Sequence, residues 1–251
     1  MVETKQNDNQ VSETLWEEIA DGLMGDDPAG YIQNLRDTGE LEKVLPEVNS
    51  LFGVPQSPEH HPEIDTGVHT MMALTKATEL KGGLAVRFAT LVHDLGKGLT
   101  DPDHWPKHHG HEELGIPPVE DVTSRLGTPK EIVDLAMHVA RYHLHAHRAL
   151  ELKPKTLVSL LERTDALDNP EMFEQFIVAT QADAQGRLGL EDKPYPQADF
   201  LRATLKAAQE IETQDLIEGG LSGSRLDEQV RTRMIDAVRE VKQGMEMDTL
   251  S

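Results

Sequence analysis

His93 and Asp94 stand together in the run Leu91-Val92-His93-Asp94-Leu95-Gly96-Lys97, an imidazole beside a carboxylate just before a helix-ending glycine. Both groups offer lone pairs to a divalent cation, and the nitrogen biases the pair toward a borderline ion over a purely hard one. His69 upstream and Asp165 downstream supply the same two chemistries from other segments. A His-Asp dipeptide alone arises by chance in many proteins. A histidine, then His-Asp at a helix end, then a helical aspartate describes three elements converging on one ion. Such an ion polarises a phosphoryl oxygen and lowers the pKa of its bound water toward about 7, which is the chemistry of metal-assisted phosphoester hydrolysis.

The elements that must position these groups read as helices. Residues 1–11 are polar and are expected to be a disordered tail, after which Glu13–Met24 and Pro28–Leu51 carry apolar residues at helical spacing. The stretch Gly53–Asp65, with Pro55, Pro58 and Pro62, reads as a loop ending in a helix cap at Asp65 or Thr66, so His69 lies in the first turns of a helix. A helix from Gly83 to Leu95, ended by Gly96 and Gly98, carries His93, and a His-rich loop Asp103–Glu112 follows. Over Pro129–His147, Ile132, Leu135, Val139 and Tyr142 share a stripe that includes His143, while His138 and His145 point away. Lys155–Asp168 is amphipathic, and helical phase puts Asp168 nearer the centre of its stripe than Asp165. Helices over Glu171–Ala184, Gln197–Thr213 and Ser224–Met245 complete the chain. With no alternating runs of strand length, no internal repeat and no glycine-rich phosphate loop, the expected fold is all-α. It is a helical bundle with a metal site between core helices, divided into a tail 1–11, a helical segment 12–52, a core 53–190 and a helical extension 191–251.

The 251 residues suffice for one sizeable core. There is no cysteine, which excludes disulfides, zinc ribbons and thiol nucleophiles and leaves metal binding to His, Asp and Glu. No apolar run approaches the roughly 20 residues that span a bilayer, and Met1–Gln10 lacks a signal-peptide core, so a cytoplasmic protein with no membrane partner is expected. Lys plus Arg number 24 against 45 Asp plus Glu, a formal charge of -21, so the field of the molecule opposes long nucleic acids and serves solubility.

Several stretches carry a family likeness: Leu51-Phe52-Gly53-Val54-Pro55-Gln56, His61-Pro62-Glu63-Ile64-Asp65-Thr66-Gly67-Val68-His69-Thr70, Arg87-Phe88-Ala89, His93 to Thr100, Trp105-Pro106-Lys107-His108-His109-Gly110-His111, and Ala182-Asp183-Ala184-Gln185-Gly186-Arg187. They resemble the HD superfamily of phosphohydrolases, and more closely the C-terminal HD domain of bacterial multifunctional CCA-adding tRNA nucleotidyltransferases, with weaker similarity over about residues 12–240. The nucleotidyltransferase head of those enzymes has no counterpart here, where the first fifty residues read as helical. CCA addition by this chain alone is therefore not expected.

The resemblance implies a metal-dependent 2',3'-cyclic phosphodiesterase with 2'-nucleotidase and phosphatase activities, its ligands falling at His69, His93, Asp94 and Asp165. It decides for Asp165 over Asp168, which is left as a turn residue before Pro170. Several imidazoles favour Mn, Ni, Co or Fe over Mg. His111 resembles the loop histidine that joins a second ion in two-metal HD proteins, and the inward phase of His143 suits the same role, against site-lining histidines as the plainer reading. Asp94 is expected both to bind metal and to orient the attacking water. Lys97 is expected to reach a phosphate, with a solvated helix-end cation as the alternative. Arg187 is read equally as a phosphate ligand or as a structural partner of Asp183. His60 and His61 are candidates to stand behind the ligands, and His104, His108, His109, His145 and His147 are expected to be solvated. Expected partners are a small nucleotide or phosphoester, an RNA 3' end, and a second copy in a homodimer. Two other readings stand: an HD-type di-iron oxygenase using His111 and His143, and a non-catalytic tRNA-binding or dimerisation module.

Overall fold

The structure, a computed structural model, describes residues 14–248, so the tail expected over 1–11 lies outside the described residues. Among the described residues every regular element is helical, apart from one isolated antiparallel bridge between Pro55 and Asp65, and the fold is all-α as expected. No helix among them is long and apolar enough to cross a membrane. The chain forms two compact units, one comprising the described residues up to Leu144 with Val178–Tyr195, the other His145–Ile177 with the described residues from Pro196 onward. Both units are discontinuous in sequence, unlike the contiguous segments 12–52, 53–190 and 191–251.

The first unit opens with α1 (14–24), α2 (Pro28–Asp37), α3 (Leu41–Val44) and α4 (Pro46–Asn49). The periodic stretch Pro28–Leu51 is thus three helices, because Gly39 takes a left-handed φ of 76° and Pro46 cannot continue α3. Next, α5 (Thr66–Glu79) is capped by Asp65, whose Oδ1 accepts from Val68 N at 3.0 Å while Oδ2 accepts from Gly53 N at 2.6 Å. One carboxylate therefore starts the helix carrying His69 and ties down the loop before it. The helix α6 (Leu84–Val92) stops short of Leu95: Asp94 leaves helical geometry at φ −106°, ψ 14°, and the chain tightens into a 3-10 turn over Leu95–Leu99. Then come α7 (His111–Leu114), α8 (Ile116–Leu126), which the periodicity analysis did not assign, and α9 (Lys130–His147).

Leu74, Phe88, Leu91, Leu135 and Val139 are buried in this unit, and Trp16 packs edge-on to Phe88 with centroids 5.3 Å apart. Each such side chain contributes about 1.5–3 kcal/mol by leaving water. Arg87 is buried too, its charge satisfied by the carbonyls of Gly82, Leu23 and Gly25 at 2.7–3.0 Å. The second unit contains α10 (Pro154–Arg163), the start of α11 (Pro170–Gln185), α12 (Pro196–Gln209), α13 (Gln214–Glu218) and α14 (Ser224–Asp248). Its core includes the stacked pair Phe173 and Phe176 with Leu157, Leu161, Phe200 and Val238, and Arg231 on α14 pairs with Glu162 on α10.

Candidate metal centre

Five segments of the first unit deliver the polar groups. His69 comes from α5, His93 and Asp94 from the end of α6, His111 from the first residue of α7, His143 from α9 and Asp183 from the end of α11; each is at most 6% exposed. Two glycines allow the approach. A Cβ on Gly96 would stand 2.0 Å from the His111 carbonyl, so only glycine lets the turn after Asp94 lie against α7. A Cβ on Gly186 would stand 2.3 Å from Ala73 Cα, so the end of α11 rests on α5 and Asp183 reaches His69.

The tautomers follow from the backbone. His93 Nδ1 lies 2.7 Å from Thr90 O, His111 Nδ1 2.7 Å from His108 O and His143 Nδ1 3.0 Å from Val139 O, so each Nδ1 carries the proton that a carbonyl requires. In the neutral rings every Nε2 is then a lone pair. His111 Nε2 nevertheless faces His143 Nε2 at 3.2 Å, and both face Asp94 Oδ1, at 3.3 and 3.7 Å. His93 Nε2 lies 3.1 Å from Asp94 Oδ2 and 3.8 Å from Asp183 Oδ2, and His69 Nε2 lies 3.0 Å from Asp183 Oδ1. His93 Nε2 and Asp94 Oδ1 are buried without a hydrogen-bond partner. Acceptors turned on acceptors in a dry interior are stable only around a cation. Two triads of ligand atoms, each within 4.8 Å of one another, could hold one: His69, His93 and Asp183, and Asp94, His111 and His143. Asp94 faces both, with Oδ2 toward His93 and Oδ1 toward His111 and His143.

The electrostatics agree. Burial disfavours a charged His93, but the carboxylates of Asp94 and Asp183 outweigh it and raise its pKa above the usual 6.5, so the site draws positive charge even as a proton. Burial also works against an ionised Asp94, yet the charges of His93 and Lys97 hold it well below the ordinary 3.8. His143 is pushed well below 6.5 by burial and stays a neutral ligand.

Asp165, expected as the fourth ligand, belongs to neither triad. It is exposed and lies in the second unit, because α10 ends at Arg163 and not at Asp168, and Asp165 sits past that end at a left-handed φ of 54°. The carboxylate beside His69 and His93 is Asp183, which the sequence analysis treated only as a partner of Arg187. Its signal was its phase: it follows the fully buried Ala179 and Thr180 by four and three residues on one helix face. Lys97 is no solvated helix-end cation. It is 6% exposed, and Nζ donates to Asp94 Oδ2 and Gln56 Oε1, both at 2.6 Å. Arg187 pairs with Asp183 Oδ1 at 3.4 Å. His108, expected in solvent, instead bridges Pro55 O at 2.8 Å and Thr100 Oγ1 at 2.6 Å. A cavity of about 510 Å³ opens beside the second triad, lined by Gln56, His61, Lys97, Lys107, His109 and His111 among others.

Residues 66–170 match the family described as HD domain. Such a domain, with these His and Asp clusters, points to a metal-dependent hydrolase. The matched span includes Asp165 and stops before Asp183, so Asp183 rests on geometry alone. Among curated proteins the chain is similar to several named Multifunctional CCA protein. It is 49% identical over 233 residues to that of Hahella chejuensis, covering 93% of this chain and 55% of that protein. The corresponding protein of Pseudomonas fluorescens is 47% identical over 233 residues (93% and 57%), and that of Teredinibacter turnerae 44% over 242 residues (96% and 59%). The chain spans little more than half the length of these curated relatives.

Proposed function

We propose that this chain hydrolyses a small phosphoester with one or two divalent ions, acting as a 2',3'-cyclic phosphodiesterase, 2'-nucleotidase and phosphatase on nucleotides or RNA 3' ends. The observation that carries the reading is the pair of triads, His69/His93/Asp183 and Asp94/His111/His143, in each of which the buried ligand atoms lie within 4.8 Å of one another. Bound there, a divalent ion supplies Lewis acidity toward a phosphoryl oxygen and an activated water. Four imidazoles against two carboxylates favour Mn, Ni, Co or Fe over Mg.

The chain's own residues do the rest. Thr90, His108 and Val139 carbonyls fix the ring orientations, and Lys97 fixes Asp94 by its 2.6 Å bond. Lys107, His109 and His60 line the cavity and offer donors to phosphate oxygens, in a molecule whose overall charge of -21 repels long polyanions. A cavity of about 510 Å³ suits a mononucleotide or the last residue of an RNA. Likeness to the Multifunctional CCA proteins supports an RNA end as one source of that substrate. The test is turnover of 2',3'-cAMP and p-nitrophenyl phosphate by the full chain across Mn, Ni, Co, Fe and Mg; no turnover with any ion refutes the reading, as does hydrolysis that survives in His93→Ala.

The presence of His111 and His143 beside Asp94 favours one second reading, a di-iron centre that activates dioxygen. Iron analysis with the electron paramagnetic resonance signal of a mixed-valent pair separates it from hydrolysis. A purely binding or dimerising module gives six buried polar ligands nothing to do, and tRNA binding measured across salt concentrations tests it.

A further inference from the structure

Behind His69, on the side away from Asp183, lies a carboxylate that the metal reading does not use. Glu63 Oε1 stands 3.0 Å from His69 Nδ1 and 3.0 Å from His61 Nδ1, and its side chain is 2% exposed. His69 Nδ1 is buried and has no aligned hydrogen bond; the Glu63 oxygen 3.0 Å away is the acceptor that faces it. Here the ring departs from the other ligands: His93, His111 and His143 are oriented through Nδ1 by backbone carbonyls, His69 by a charged side chain. We propose that Glu63 is a positioning residue, one that holds His69 through Nδ1 so that Nε2 is presented as a lone pair beside Asp183. The inference rests on the metal reading of the His69/His93/Asp183 triad.

His61, Glu63 and His69 also lie close enough to be a third ion site. His69 argues against it. A neutral imidazole has one lone-pair nitrogen and one N–H, so a ring that ligates through Nε2 has only a donor at Nδ1, and a donor needs the acceptor that Glu63 provides. His61, its ring centroid 4.6 Å from that of His69, shares the same oxygen and steadies it from the other side. The backbone holds Glu63 in place: Ile64 takes a left-handed φ of 64°, rare for a β-branched residue, and Glu63 Oε2 accepts from Leu188 N at 3.2 Å. A carboxylate behind a metal-bound histidine fixes its tautomer and raises its basicity, and losing such a partner typically weakens metal binding by about 10–100-fold.

The experiment uses the full chain stripped of ions, as wild type, Glu63→Gln and Glu63→Asp. Calorimetric titration with Mn or Ni alone gives affinity and stoichiometry, and long-range proton–nitrogen NMR of the histidine rings gives the His69 tautomer. Wild type should have His69 protonated at Nδ1, and Glu63→Gln should lose about 10–100-fold in affinity at unchanged stoichiometry, with His69 no longer held in one tautomer. Glu63→Asp, which keeps the charge at shorter reach, should fall between them, and it carries the test if Glu63→Gln does not fold. Affinity and tautomer unchanged in the variants would mean that Glu63 only anchors Leu188 and would overturn the proposal; loss of one bound ion with the remaining affinity intact would overturn it in favour of a third site. If the wild type binds no ion, the metal reading fails by itself, and the tautomer comparison still decides what Glu63 does to His69.

Discussion

Replacing Asp183 by asparagine changes one charge and almost no volume, which isolates what that carboxylate does. Its Oδ1 is 3.0 Å from His69 Nε2 and its Oδ2 3.8 Å from His93 Nε2, and the residue is 2% exposed. One unit charge acting on each unit of the ion's charge at about 4 Å, in an effective dielectric near 20, is worth about 4 kcal/mol, so a divalent ion loses at least that much. At 1.4 kcal/mol per tenfold, the ion should bind roughly a thousand times more weakly, or weaker still, to Asp183→Asn. Asp165→Asn, an exposed change past the end of α10, should bind it as the wild type does. Because Asp183→Asn also unpairs Arg187, Arg187→Gln serves as the control: it removes a cation near the site and should leave affinity equal or higher. Chelator-buffered titration of Mn or Ni into each ion-free protein reads all three. Wild-type affinity in Asp183→Asn, or a large loss in Asp165→Asn, would refute the assignment of the ligand.

His143→Ala should lower the number of bound ions from two to one per chain while the triad of His69, His93 and Asp183 keeps its own, as measured by elemental analysis after dialysis. Lys97→Met should cost the ion-free protein about 3–5 kcal/mol in denaturant melts, since it strands a buried Asp94, whereas a solvated lysine would cost under about 0.5 kcal/mol. The stability of the ion-free protein should peak near pH 6.5, the ordinary imidazole value. Below it the unfolded chain takes up protons that His143, His108 and His61 refuse, the last with a pKa lowered by burial to about 4, so stability falls with pH. Above it His93, whose folded pKa is raised, gives up a stabilising proton, and stability falls as pH climbs through that raised value. Saturating metal should remove the upper decline, and a thermal melt series from pH 5 to 9 with and without chelator checks both limbs.

Helix identity was largely legible because apolar spacing and caps are local: Asp65 caps α5 as its sequence position implied, and the inward phase of His143 on α9 matches its burial. The errors lie where local periodicity meets a backbone change. The apolar stripe of α10 gave no sign that the chain would turn left-handed at Asp165, so a residue in helical register ended outside the helix. Asp183 was hidden by its neighbour: four residues before Arg187 it reads as half of a surface ion pair, and only the contact of Gly186 with Ala73 reveals that this turn of α11 lies against His69. Lys97, expected to reach a phosphate with a solvated helix-end cation as the alternative, is folded inward onto Asp94 by the tight 3-10 turn, which removes the solvated alternative. Glu63 lies in the family-like stretch His61 to Thr70, two residues before Asp65, but its partners come together only through the loop between α4 and α5.

Anomalous X-ray scattering from crystals of the chain grown with Mn, recorded on either side of the metal edge, tests the central claim most directly. The account predicts one peak within bonding distance of His69, His93 and Asp183 and a second shared by Asp94, His111 and His143. Anomalous density confined to exposed carboxylates, with these six side chains bonded only to one another, would contradict it.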